Sequence, residues 1–206
     1  MPDNTLVRDG YVFTGWNTKA NGSGKNYTDG QVVSNLTAKD KAIVTLYAQW
    51  KAIEYKITYH LDNGTNNAKN PQTYTVSKSV TLAAPVKEGY TFKGWYTDNV
   101  FTNRITKIKK GSRENINVYA KWQVNNYNIN FSANGGKGKI DTLKNCEYDK
   151  AYTLPENTFT RNGYIFNGWN TKKDGTGESF KDVQEIKNLT AKNKATITLY
   201  AQWINN

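Results

Sequence analysis

The sequence predicts a mostly β chain, with a small α+β content at most, built as tandem modules of about 70–80 residues in about two and a half copies. Three observations predict it. A signature GYxFxGW occurs three times, as GYVFTGW from Gly10, GYTFKGW from Gly89 and GYIFNGW from Gly163. Each is followed by a second aromatic stretch, TLYAQW ending at Trp50, NVYAKW ending at Trp122 and TLYAQW ending at Trp203. Both stretches alternate apolar and polar residues with the period of two that describes a strand with one buried face.

The module can be read element by element. An opening strand, YKITYHLDNG from Tyr55 and YNINFSANGG from Tyr127, precedes the second and third signatures and ends on a turn signal containing Asn-Gly. Tyr55, Ile57, Tyr59 and Leu61 face one way, and Tyr127, Ile129, Phe131 and Ala133 repeat the pattern. In the signature, Tyr164 and Phe166 share a face and strict alternation sends Trp169 to the other. A bulge at Gly168 would bring Trp169 back to their side. Between the two tryptophans of copies one and three, NTKANGSGKNYTDG and NTKKDGTGESFKDV read as Gly-rich turns. VQEIKNLTA from Val183 has the spacing of a turn or two of helix. In the closing strand, Ile197, Leu199, Ala201 and Trp203 form the core face, matched by Val44, Leu46, Ala48 and Trp50 and by Ile116, Val118, Ala120 and Trp122.

This assigns a structural core motif of Tyr11, Phe13, Trp16 and Trp50, of Tyr90, Phe92, Trp95 and Trp122, and of Tyr164, Phe166, Trp169 and Trp203. A core explains these rings better than a ligand platform, because a module of this size buries only about 60% of its unfolded surface and depends on a few large side chains. The domains are expected at 1–50 (the C-terminal part of a module), 51–122 and 123–206. Copies one and three agree at roughly 25 of 41 positions between their signature glycine and closing tryptophan. The first copy has no opening strand, and its core edge could accept a strand from another molecule and so drive self-association.

Composition narrows the function classes. The 206 residues carry a formal charge of +11, which attracts anionic partners. The Lys and Arg are spread along the chain without a nucleic-acid-binding motif, so nucleic acid is not expected as a partner. Cys146 and His60 are the only cysteine and histidine. That excludes an internal disulfide and most catalytic or metal constellations, so neither enzyme activity nor a cofactor or metal is expected. Cys146 reads as a half-buried structural thiol and His60 as a solvated residue on the polar face. Asp174, Glu178 and Asp182 lack the dense order of a calcium loop. LPENT at Leu154–Thr158 resembles a sortase signal, yet MPDNT recurs at the same place in copy one, so it reads as a repeat element. An isopeptide crosslink would need a Lys, an Asn and an acid buried together. No apolar run is long enough to span a membrane, and no signal peptide or anchor is read in the sequence.

The order YxIxFxxNGG, LPxNxFxRxGYxFxGWNTKxxGxG and NLTAxxxxTLYAQW resembles the Listeria/Bacteroides repeat, also called the internalin B-repeat, over essentially the whole chain. The resemblance implies β-grasp-like (ubiquitin-like) modules, an extracellular or bacterial cell-surface location, and a spacer or adhesion role with neighbouring repeats as partners. It implies no catalytic residues. The alternative is a binding module whose basic faces engage host glycans or anionic cell-wall polymers; host surface proteins are a further candidate partner.

Overall fold

The computed structural model describes residues 1–206. Every regular element is a strand, and the strands form small sheets that recur along the chain. The third repeat shows the plan in full. Its sheet has the order Leu143–Glu147, Asn126–Ser132, Ala195–Asn205, Tyr164–Asn170, Ser179–Phe180. The opening and closing strands lie side by side and parallel at its centre, with Ile129 opposite Ile197 and Phe131 opposite Leu199. Parallel neighbours need a long crossover, and the rest of the repeat supplies it. The second repeat has the same order, Thr73–Tyr74, Tyr55–His60, Ile116–Val124, Tyr90–Tyr96, Arg104–Ile105. The first repeat keeps only Asn26–Tyr27, Tyr11–Asn17 and Tyr47–Ala52.

One face of each sheet is core, as the alternation requires. In the third repeat Tyr127, Ile129, Leu199 and Ala201 are buried together with Cys146, Leu154, Phe159, Phe180 and Ile186 around Trp169. The bulge expected at Gly168 is present: the register between the signature and closing strands shifts between Phe166 and Trp169. Gly168 has φ 109°, and a Cβ there would lie 2.7 Å from the carbonyl oxygen of Phe180. No other residue fits, because L side chains rarely adopt that backbone conformation and the space is filled. The first repeat shifts its register at the same place, between Phe13 and Gly15. Trp169 thereby becomes fully buried, with Phe131 at 5.1 Å and Phe166 at 5.0 Å in edge-to-face contacts. Its Nε1 has no hydrogen-bond partner, whereas Trp95 donates to Ala83 at 2.9 Å.

The helix expected from Val183 is absent. The segment pairs instead as Glu185–Ile186 against Tyr152–Thr153, which sinks Ile186 into the core. Val183 (φ 55°) and Asn188 (φ 56°) sit in left-handed conformations that close the chain at both ends, so a right-handed helix cannot run through it. Cys146 is also more deeply placed than expected. It is buried opposite Tyr127, because its strand is covered by the core and not half-open to solvent.

Cα packing divides the chain into two compact units that do not coincide with the repeats. One comprises Met1–His60, Ala68–Ala83 and Trp95–Tyr119, and the other Leu61–Asn67, Ala84–Gly94 and Ala120–Asn206. The first unit therefore contains the junction of the first two repeats and the second unit the junction of the last two.

Candidate functional site

The signature residues divide into two groups. Phe and the two Trp of each repeat face the core: Phe13 meets Trp16 at 5.3 Å and Trp50 at 5.6 Å, Phe166 meets Trp203 at 5.8 Å, and Phe92 meets Trp122 at 5.5 Å. The indoles of Trp122 and Trp203 each donate to the last carbonyl of an opening segment, Leu61 and Ala133, both at 2.9 Å. The tyrosines lie elsewhere. Tyr164 is 37% exposed with Arg161 stacked over its ring at 3.9 Å, and Tyr11 and Tyr90 carry Arg8 and Lys87 in the same way. These three rings stand outside the core assigned to them, because they sit at the strand's start, beyond the reach of the opening strand's apolar face.

What the tyrosines mark is the joint between repeats. In the first unit the linker amide of Ile53 donates to the carbonyl of Gly10 at 2.9 Å. Gly10 has φ 77°, and any Cβ there would overlap Val76, a turn residue of the following repeat. Arg113 pairs with Asp9 across the same joint. In the second unit Asn125 donates its amide to Gly89 at 2.8 Å, and a Cβ on Gly89 would overlap the ring of Tyr148. Val76 and Tyr148 hold equivalent places two residues beyond Tyr74 and Cys146.

The second joint is the more polar. Asn125 is buried; its side chain donates to Ala191 at 2.8 Å and accepts from Thr91, while its own carbonyl accepts from Tyr148 at 2.9 Å. Tyr90 packs edge-on to Tyr148 at 6.3 Å and donates to Asp149 at 3.1 Å. Asn188 donates to Asp149 at 3.0 Å, and Lys187 lies 3.8 Å away. The hydrogen bond from Asn188 leads the causes that hold the Asp149 carboxyl below its ordinary range, with Tyr90 and Lys187 acting the same way. At Gly163 the linker-type bond recurs, from Asn206 at 3.1 Å, but nothing lies within 4 Å of the Cβ position.

His60 is exposed, stacked on Tyr119 at 4.2 Å with Nε2 3.0 Å from Asn117. Burial pushes the Cys146 thiol up, which makes it a poor nucleophile. Asp174 caps the turn amide of Thr176 and Asp182 that of Asn157, while Leu154 of LPENT is core. No group of three acidic, cysteine or histidine side chains is placed to hold a metal. The buried polar residues are Asn17, Asn70, Asn125 and Asn170.

The sequence reading missed these asparagines. Asn170 donates to Gly175 and Gly177 at 3.1 Å each and accepts from the amides of Lys172 and Gly177, so it ties down the Gly-rich loop; Asn17 does the same in the first repeat. Their recurrence after the signature tryptophan was the available signal.

The family model of the Listeria-Bacteroides repeat domain matches residues 1–49, 55–121 and 127–202. The chain belongs to the Listeria-Bacteroides repeat family. It is 34% identical over 204 residues to a protein of Evansella cellulosilytica named as a Gly-rich membrane protein, covering 98% of this chain and 22% of that one. A second protein of that organism, named as a membrane protein, is 31% identical over 201 residues, 97% of this chain and 28% of the relative. Internalin H of Listeria monocytogenes is 36% identical over 126 residues, 60% of this chain and 21% of its own length. The chain thus spans less than a third of each of these relatives. No helix of this chain is long and apolar enough to cross a membrane.

Two outcomes follow for the joints. Gly89→Ala and Gly163→Ala share the left-handed backbone penalty of about 1–2 kcal/mol, but only Gly89→Ala must also displace Tyr148. It should destabilise the chain by about a further 1–3 kcal/mol in urea denaturation; equal losses would mean that the joint carries no stability. The second concerns acid. Because the folded pKa of Asp149 is lowered, its contribution is complete above the unfolded value of about 3.9 and is lost as the pH falls through the folded value. Asp149→Asn should therefore flatten the fall in stability below about pH 4; an unchanged profile in denaturation at a series of pH values would contradict this.

Proposed function

We propose that this chain is a non-enzymatic spacer segment of a bacterial cell-surface or secreted protein, in which semi-rigid joints hold neighbouring repeats at a fixed orientation. The observation that carries this reading is the joint itself. A linker of four residues, Lys51–Glu54 or Gln123–Asn126, leaves little freedom, and its central amide is bonded back to the signature glycine in each case. The buried Asn125 adds side-chain bonds to both neighbours. The relatives' names, a Gly-rich membrane protein and an internalin, support the location. The repeats are β-grasp-like in this reading. The strand order second, first, last, third, fourth with a parallel central pair supports it, the crossover of residues 148–163 being extended chain in place of a helix.

Spin labels on cysteines introduced at exposed Lys39 and Lys173 report the orientation of the flanking repeats, and buried Cys146 does not compete for label. Pulsed electron–electron distance measurement should give one narrow distribution. A broad one, several times the width of the label's own spread, would sink the semi-rigid spacer.

A second reading, adhesion through anionic glycans or cell-wall polymers, is favoured by how the charges are used. Asp29, Asp98, Asp174 and Asp182 spend their oxygens on loop amides, while Lys137 and Arg161 line an open notch of 540 Å³ with Gly135, Thr160 and Asn162. Titration with heparin or teichoic acid should show saturable binding that weakens steeply between low and physiological salt; a blank panel at low ionic strength would remove this reading.

A further inference from the structure

The second repeat departs from the other two at one end of its core. The link from Ile108 to Ile116 is three residues shorter than the link from Ile186 to Ile197 that holds the same place in the third repeat. Leu189-Thr190-Ala191, repeated in the first copy as Leu36-Thr37-Ala38, has no counterpart there. In the third repeat Leu189 packs against the core from this loop. In the second, a cavity of 270 Å³ is lined at the corresponding place by Tyr74, Ile105, Ile108 and Ile116. Tyr74 and Ile108 are buried, and the tyrosine hydroxyl donates to the carbonyl of Glu114 at 2.6 Å. The cavity comes from a shortening inside the chain, in a repeat that has a neighbour on each side.

Charge collects at the same place. Arg104, Lys107 and Lys109 line the cavity, and none of them is in an ion pair. The strand register puts Ser179, Glu185 and Lys187 at these positions in the third repeat, where Lys187 is drawn to Asp149. The first repeat has Asn26, Val32 and Ser34 there. Three cations are therefore peculiar to the second repeat. Glu114 is the one acid of the lining, and the carboxyl of Asp98 close by accepts from the amides of Thr102 and Asn103.

We infer that this cavity binds one anionic sugar unit, sulfated or carboxylated, of a glycan chain. The guanidinium of Arg104 suits a bidentate anion, and the two lysines add point charges. The apolar floor receives the C–H face of the sugar ring, while Asn103, Ser112 and Glu114 are placed for its hydroxyls. An apolar floor with a few convergent polar groups is the usual make-up of a small-molecule site. A glycerol phosphate polymer carries the charge but has no ring to cover that floor, which favours the sugar. The inference rests on the second reading above for the class of ligand, and it uses a different repeat from the notch at Lys137 and Arg161.

The test titrates the whole chain with a sulfated heparin disaccharide at low salt, read by calorimetry and by amide chemical shifts. Saturable one-to-one binding is expected, with shifts confined to Tyr74 and residues 97–116. The paired change Arg104→Gln and Lys107→Gln, on exposed side chains, should weaken binding about tenfold or more, as the loss of a charge-assisted hydrogen bond does. Lys137→Gln with Arg161→Gln should leave the affinity unchanged. The opposite pattern, with shifts at residues 135–162, would overturn this site while the glycan reading stands. Equal weakening by both pairs would reduce the effect to diffuse charge and overturn it too. Binding of glycerol phosphate as tight as that of the disaccharide would remove the sugar from the inference. No binding at millimolar disaccharide would remove the site, and a blank with heparin polymer as well would remove the glycan reading with it.

Discussion

Each repeat depends on bringing the tryptophan that follows the signature glycine to the apolar face and covering it there. A tryptophan buries about 150–250 Å², a large share of the core that so short a chain can build. Two features make this possible. The glycine bulge turns the ring inward, and the parallel opening strand lays an aromatic against it. Where the second is missing, the chain records the consequence: in the first repeat the closing strand is shorter and Trp16 remains half-buried.

The joints extend the same economy beyond one repeat. The signature strand starts from a glycine whose carbonyl receives the linker and whose missing side chain makes room for the next repeat's turn. The tyrosine beside it is thus free to serve the junction, with a cation on one side of its ring and, at Tyr90, the following repeat on the other. The compact units are accordingly drawn around junctions, and the second repeat is shared between them. Stability in such an assembly is a sum of repeat and nearest-neighbour terms.

Much of this was legible in the sequence. The one-faced sheet could be read from alternation at Ile129, Phe131, Leu199 and Ala201, and the bulge from the conflict between alternation and the apolar character of Trp169. The rest lay outside what spacing can convey. Val183 to Ala191 has helical spacing, but left-handed conformations at Val183 and Asn188 override it, and backbone handedness is not a matter of hydrophobic period. Tyr164 looked like core because it alternates with Phe166; which aromatic faces a neighbouring repeat depends on tertiary placement. Asn17, Asn125 and Asn170 read as loop residues because their burial arises only when the loops and linker close over them.

The joint is made of one half from each side, and both halves recur in every complete period. Val76 and Tyr148 differ in bulk and chemistry, yet each fits against a glycine of the preceding repeat. A gene encoding such an array can gain or lose a whole period by unequal recombination and re-form the same joint from whichever copies become adjacent. A deletion of part of a period has no such repair and strands a tryptophan without its cover.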